Sequence, residues 1–231
     1  IVGDLERARA ERLAETLVGD LPAGTAAPPL PPAPELDGDR TIREPFPSTQ
    51  SHVLVGCPGV ARGHERWPAL YVANHVLGGG GFTSRLFSRV REERGLVYSI
   101  YSYASPMAAA GPFLIGFQTR GDQVEEALGI VREQLHRFEE RGPSEQEVQD
   151  AVRNITGGFP LRTDSNADLA GYLGMIGFYG LPVDYLEAFP ASVSAVGAGE
   201  AHQAFVQALG QRPRVTVIVG GSRSNGGEAT E

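Results

Sequence analysis

A chain of 231 residues, 41% of them hydrophobic, can bury a sizeable core in one large or two unequal domains. Its net charge of -8 and pI near 5.2 repel a nucleic acid backbone, and no basic tract offsets them, so no nucleic acid partner is expected. All 20 basic residues are arginine, which removes lysine Schiff bases, a phosphate-loop lysine and lysine general bases together.

Ile1-Val2-Gly3-Asp4 reads as the end of a strand entering a helix, with Asp4 as its cap and Val18 near its end. Leu5, Ala10, Leu13 and Leu17 give that helix a rough apolar stripe. One helix and a strand stub make no domain, so residues 1–20 read as the C-terminal remnant of a preceding α+β domain. A targeting segment lost upstream stays open. Residues 21–39 carry Pro22, Pro28, Pro29, Pro31, Pro32 and Pro34, a density that forbids helix and favours a stiff, extended linker.

Residues 40–220 are expected to form the main domain. Ser51 to Cys57 alternates as a strand, with Val53, Val55 and Cys57 on one face and His52, Leu54 and Gly56 on the other. Cys57 is the only cysteine, which excludes an internal disulfide and a CxxC site and leaves it a small buried hydrophobe. Pro68 suits the first turn of a helix that carries Leu70, Ala73, Asn74 and Leu77 and stops at Gly78, Gly79, Gly80 and Gly81. A short Arg-rich helix is expected from about Thr83 to Arg94, with Leu86 and Val90 inward and Gly95 closing it. Leu96 to Ala104 reads as a strand with Leu96, Tyr98 and Ile100 in phase and Tyr103 opposite. Pro112 to Thr119 should pair with it as an antiparallel hairpin.

Four helical segments follow. The first carries Val124, Ala127, Leu128, Val131, Leu135 and Phe138. Ser144-x-x-Glu147 is a capping box for the second, which carries Val148, Val152 and Ile155. Asp164 or Ser165 caps the third, with Leu169, Tyr172, Leu173 and Ile176. The fourth runs from Glu200 to Leu209. Arg214 to Val219 is a last strand, and residues 221–231 read as a flexible tail. The fold class is α+β, two-layer, with helices packed on a mostly antiparallel sheet. No run of 18 apolar residues occurs, so no transmembrane segment is expected in these residues.

Residues that would carry chemistry are few. His52, His64, His75, His136 and His202 form no HxxEH, HExxH, HxxxH or HxH, so no metal site is expected in this chain. There is no GxSxG elbow and no Walker A. The run Gly78–Gly81 is either a flexible turn near a binding groove or a plain tight turn. Arg91 and Tyr98 flank the Gly95 turn and can point into one space, offering a guanidinium fork and a phenolic hydroxyl to a peptide carbonyl or oxyanion. The alternative is an Arg–Glu surface pair beside a core-edge tyrosine.

The stretch Leu77-Gly-Gly-Gly-Gly-Phe-Thr-Ser-Arg-Leu-Phe-Ser-Arg-Val-Arg-Glu-Glu-Arg-Gly-Leu-Val-Tyr-Ser99 resembles the second-domain signature of the insulinase and mitochondrial-processing-peptidase family of zinc peptidases, M16. The flanks agree, from the helix and Leu21-Pro22-Ala23-Gly24 to the closing Val215-Thr-Val-Ile-Val-Gly220. That resemblance implies a processing-peptidase-like α+β domain, the inactive half of a zinc metalloendopeptidase. It implies that this half closes a chamber and contacts unfolded or short peptides opposite the zinc site. Arg91 and Tyr98 would be the catalytic-site contribution, as substrate and oxyanion contacts rather than a full site. No cofactor is implied in this chain; zinc is expected in a His-x-x-Glu-His partner subunit or upstream domain, in a homo- or heterodimer. The alternative is a structural or assembly domain of the same fold with no role in proteolysis. Localisation stays open, with the bacterial periplasm favoured over the cytoplasm.

Overall fold

The computed structural model describes residues 1–221, so the expected tail from residue 222 onward lies outside the described residues. Five strands form one sheet: β1 (Arg40–Glu44), β2 (Gln50–Pro58), β3 (Val97–Ala104), β4 (Pro112–Arg120) and β5 (Val215–Val219). Their order is β1-β5-β2-β4-β3. Every neighbour is antiparallel except β1 with β5. Seven α-helices occur among the described residues: α1 (Arg7–Val18), α2 (Trp67–Asn74), α3 (Val124–Arg141), α4 (Glu145–Gly158), α5 (Asn166–Tyr179), α6 (Tyr185–Ser194) and α7 (Ala198–Leu209). The fold is therefore α+β, with helices on a largely antiparallel sheet.

Strand alternation decides which sheet face meets the helices. Val53, Val55 and Cys57 of β2, Phe113, Ile115 and Phe117 of β4, and Ile218 of β5 are buried in one core with Leu70, Leu77, Val131, Phe138 and Phe205. Burial also pushes the Cys57 thiol pKa up, as an inert core cysteine requires. On the opposite sheet face Leu54, Tyr101 and Tyr103 stay exposed, the two tyrosine rings stacked at 6.0 Å. The α3 stripe is buried at all six expected positions.

Several elements depart from the sequence expectation. Asp4 caps nothing: α1 begins at Arg7, Glu6 occupies the cap without a side-chain bond, and no α1 residue is buried. The charged edge strand β1 has no apolar alternation to announce it, since all five residues are exposed. Helix α6 was hidden by Pro190 in its interior. On α5 only Ile176 of the expected stripe is buried, while Leu173 is exposed, as is Phe178 outside that stripe.

The glycine run is the largest local departure. Gly78 does not end the helix. The backbone widens into a π-helical turn over His75–Gly79, and a 3-10 turn follows at Gly81–Thr83. A Cβ on Gly78 would lie 2.5 Å from the Ser102 Oγ, and one on Gly79 would lie 2.7 Å from the Asn74 Nδ2. Gly78 permits close approach to β3, and Gly79 leaves room for the Asn74 side chain of α2. The Ser102 hydroxyl donates to Asn74 Oδ1 at 2.7 Å in that contact. The left-handed turn residue is Gly81, with φ +61°.

The capping box at α4 is formed as expected: Ser144 Oγ accepts from the Glu147 backbone N–H, and Glu147 accepts from the Ser144 backbone N–H at 2.7 Å. Glu147 also takes a forked pair from Arg85, at 2.6 and 2.7 Å. Burial alone would raise the Glu147 pKa, but the bonds from Arg85 and Ser144 outweigh it and hold it at about 2 against an ordinary 4.5. The stability this carries is complete above pH 4.5 and is lost as pH falls through about 2. With solvent screening, we expect it to amount to about 1–2 kcal/mol. Chemical denaturation of wild type and Glu147→Gln across this range should show the two converging in acid; a constant gap would refute the linkage.

Candidate functional site

Arg91 lies in the helical segment after the glycine run. That segment begins at Arg85, two residues later than expected, and is π-helical over Phe87–Glu92. Leu86 and Val90 are fully buried and fix its rotation. Its end is closed by Gly95 in the left-handed region, φ +63°. The Gly95 N–H donates to Arg91 O at 3.0 Å and the Leu96 N–H to Val90 O at 3.1 Å. Each reaches one residue further than in the usual Schellman closure, as a π-helical end requires. Thr119 Oγ1 donates to Leu96 O at 2.6 Å and pins the turn to β4.

The strand that follows does not keep its phase. Val97 pairs with Thr119 but Ile100 pairs with Phe117, so three steps on β3 face two on β4. That extra residue is a β-bulge, a device that re-aims a side chain. Leu96 and Ile100 are buried as expected, but Tyr98, expected in phase with them, is 86% exposed. Beyond the bulge, Tyr103 is on the outward face as anticipated.

Arg91 and Tyr98 line one depression of about 420 Å³ around Gly95. Its wall includes Gln118, Arg120 and Gln123, and no carboxylate. Arg120 is forked onto Asp122, whereas Arg91 makes no ion pair or side-chain hydrogen bond among the described residues. Its neighbours Arg85, Arg89 and Arg94 are each paired, with Glu147, Glu93 and Glu126. The Tyr98 hydroxyl likewise has no partner among the described residues. The depression thus presents hydrogen-bond donors that have no partner among the described residues.

The four glycines do not line this depression. Gly78–Gly80 pack against Ser102, Asn74 and His75, and Phe82 beyond them is 79% exposed. Gln118, Arg120 and Gln123 escaped the sequence reading because their place beside Tyr98 depends on the β3–β4 register and the bulge. Among the described residues, no three His, Cys, Asp or Glu side chains converge as a metal site. His75 is half-buried with a lowered pKa, from desolvation first and the Arg162 charge second. His202 lies 2.7 Å from the Glu139 carbonyl, and the other three are exposed. No described helix is long and apolar enough to cross a membrane.

Comparison with known proteins adds independent findings. The family model for the peptidase M16 inactive domain matches residues 1–155. An uncharacterised zinc protease of Streptomyces coelicolor is 34% identical over 200 residues, covering 84% of this chain and 43% of that protein. A Helicobacter pylori protein named as a non-peptidase homolog is 31% identical, over 46% of this chain and 25% of its own. The crystal structure of a peptidase M16 inactive domain from Pseudomonas fluorescens matches with a TM-score of 0.89 at 36% identity, covering 96% of this chain and 52% of that one. The chain spans less than half the length of these curated relatives.

Proposed function

We propose that this chain, which belongs to the M16 peptidase family as its inactive domain, is the non-catalytic half of a zinc metalloendopeptidase, closing the chamber and holding peptide opposite the zinc site. The observation that carries this reading is the unpaired Arg91 beside the exposed Tyr98 in a depression without carboxylates. The Arg91 guanidinium and Tyr98 hydroxyl donate to the peptide backbone or to the oxyanion that forms on it. The described residues do not fit a zinc ion, since they offer no three-ligand cluster and the sequence has no His-x-x-Glu-His. A His-x-x-Glu-His partner subunit or upstream domain supplies that centre, in a homo- or heterodimer acting on unfolded or short peptides.

Residues 1–20 are assigned to a neighbouring domain because α1 buries no side chain here, and the proline-rich residues 21–39 are the linker. Residues 40–220 are the M16 C-terminal-type domain.

A second reading, a structural or assembly domain without a role in proteolysis, is favoured by the Helicobacter relative's designation as a non-peptidase homolog. Hydrolysis of a quenched, unstructured peptide library with zinc present separates the two. The samples are this chain, its His-x-x-Glu-His counterpart, and both together. Activity only in the mixture is expected; tight association with a zinc-loaded counterpart and no activity would move the assignment to assembly.

A further inference from the structure

A second cavity, also of about 420 Å³, lies on the helical side of the molecule and shares no residue with the Arg91–Tyr98 depression. Four arginines line it, Arg85, Arg89, Arg137 and Arg141, against the single carboxylate of Glu147. Glu147 is already committed to Arg85 and Ser144. Arg85 is the wall: it donates to Glu147 and to Gly142 O at 2.9 Å and stacks 5.0 Å from the Phe138 ring. Arg89 and Arg137 are held only by exposed i,i+4 partners, Glu93 and Glu133, which contribute little in water. Arg141 has no ion-pair partner among the described residues.

The wall of this cavity is polar as well as charged. Gln134 is only 5% exposed, lines the cavity, and makes no side-chain hydrogen bond among the described residues. Its amide is not among the enclosed polar atoms left without a partner, so it opens to the cavity and is free to meet a ligand there. The Ser88 hydroxyl lines the same space without a partner among the described residues. Guanidinium forks, an amide and a hydroxyl around one space suit an oxyanion with several oxygens and more than one charge. We propose that this cavity binds a small, multiply charged oxyanion of the phosphate or carboxylate type. Nothing in this assignment depends on the peptidase reading.

The test is calorimetric titration of the intact chain at low salt with pyrophosphate and, separately, citrate. Saturable one-to-one binding is expected for at least one. Tighter binding of pyrophosphate assigns the phosphate class and tighter binding of citrate the carboxylate class. Arg89→Gln with Arg141→Gln should weaken it about tenfold or more, through loss of charge-assisted bonds. The melting temperature without ligand should not move, because both side chains are exposed. Arg132→Gln with Arg153→Gln removes the same net charge from exposed positions outside the cavity and should leave affinity within about twofold. The proposal is overturned if neither anion saturates by about 10 mM. It is equally overturned if the two double variants bind alike.

Discussion

In the assembled peptidase proposed above, Tyr98→Phe is expected to lower kcat about 100-fold and to leave the melting temperature of this chain unchanged. Stability is untouched because the lost atom supports nothing: Tyr98 is 86% exposed and its hydroxyl has no partner among the described residues. The ring stays, so the bulge that aims it stays. Loss of one preorganised oxyanion donor costs on the order of 100- to 1,000-fold, and the lower end is expected where the donor closes over from a separate half. Arg91→Ala should lose a comparable factor, since no ion pair ties that guanidinium to the fold. The division between parameters identifies the role. A fall in kcat at constant KM marks a contact made to the developing oxyanion; a rise in KM alone marks one that only holds the peptide. Turnover within about threefold of wild type, or stability lost in step with turnover, would remove Tyr98 from the mechanism.

How much of this was legible beforehand follows the physics of each signal. The α3 stripe and the β2 alternation were readable because burial repeats at a fixed period. The capping box at Ser144 and the left-handed stop at Gly95 were readable because each depends on local chemistry at one short spacing. Arg91 and Tyr98 line the same depression, since only the Gly95 turn lies between their elements. What escaped is set by distant pairing. A strand of sequence Arg-Thr-Ile-Arg-Glu forms only because β5 returns beside it. Tyr98 leaves the phase of Ile100 only because β4 offers two residues against three. Gly78 looks like a stop until Ser102 is seen 2.5 Å from where its Cβ would sit.

Phe205→Ala is the substitution expected to cost the fold most, about 3–5 kcal/mol. Its ring is fully buried, 4.7 Å from Phe138 of α3 and 6.3 Å from Phe113 of β4, and so joins α7 to both the helical layer and the sheet. The family match ends at residue 155, yet α7 and β5 lie beyond it, and β5 sits between β1 and β2. The core is therefore completed by residues outside the matched stretch. Removing the ring leaves a cavity where three aromatics met, and the rigid sheet on one side limits collapse into it. Such a loss is a large share of the 5–15 kcal/mol typical of a domain, so Phe205→Leu, at about 1 kcal/mol, is the measurable companion should the alanine variant not fold. Val206→Ala, one residue on and 38% exposed, serves as the control. Urea midpoints at unchanged slope should rank Phe205→Ala lowest, Phe205→Leu between, and Val206→Ala near wild type. If Phe205→Ala and Val206→Ala melted together, α7 would be an appendage, and the domain held by the Val53–Phe117–Leu128 part of the core alone.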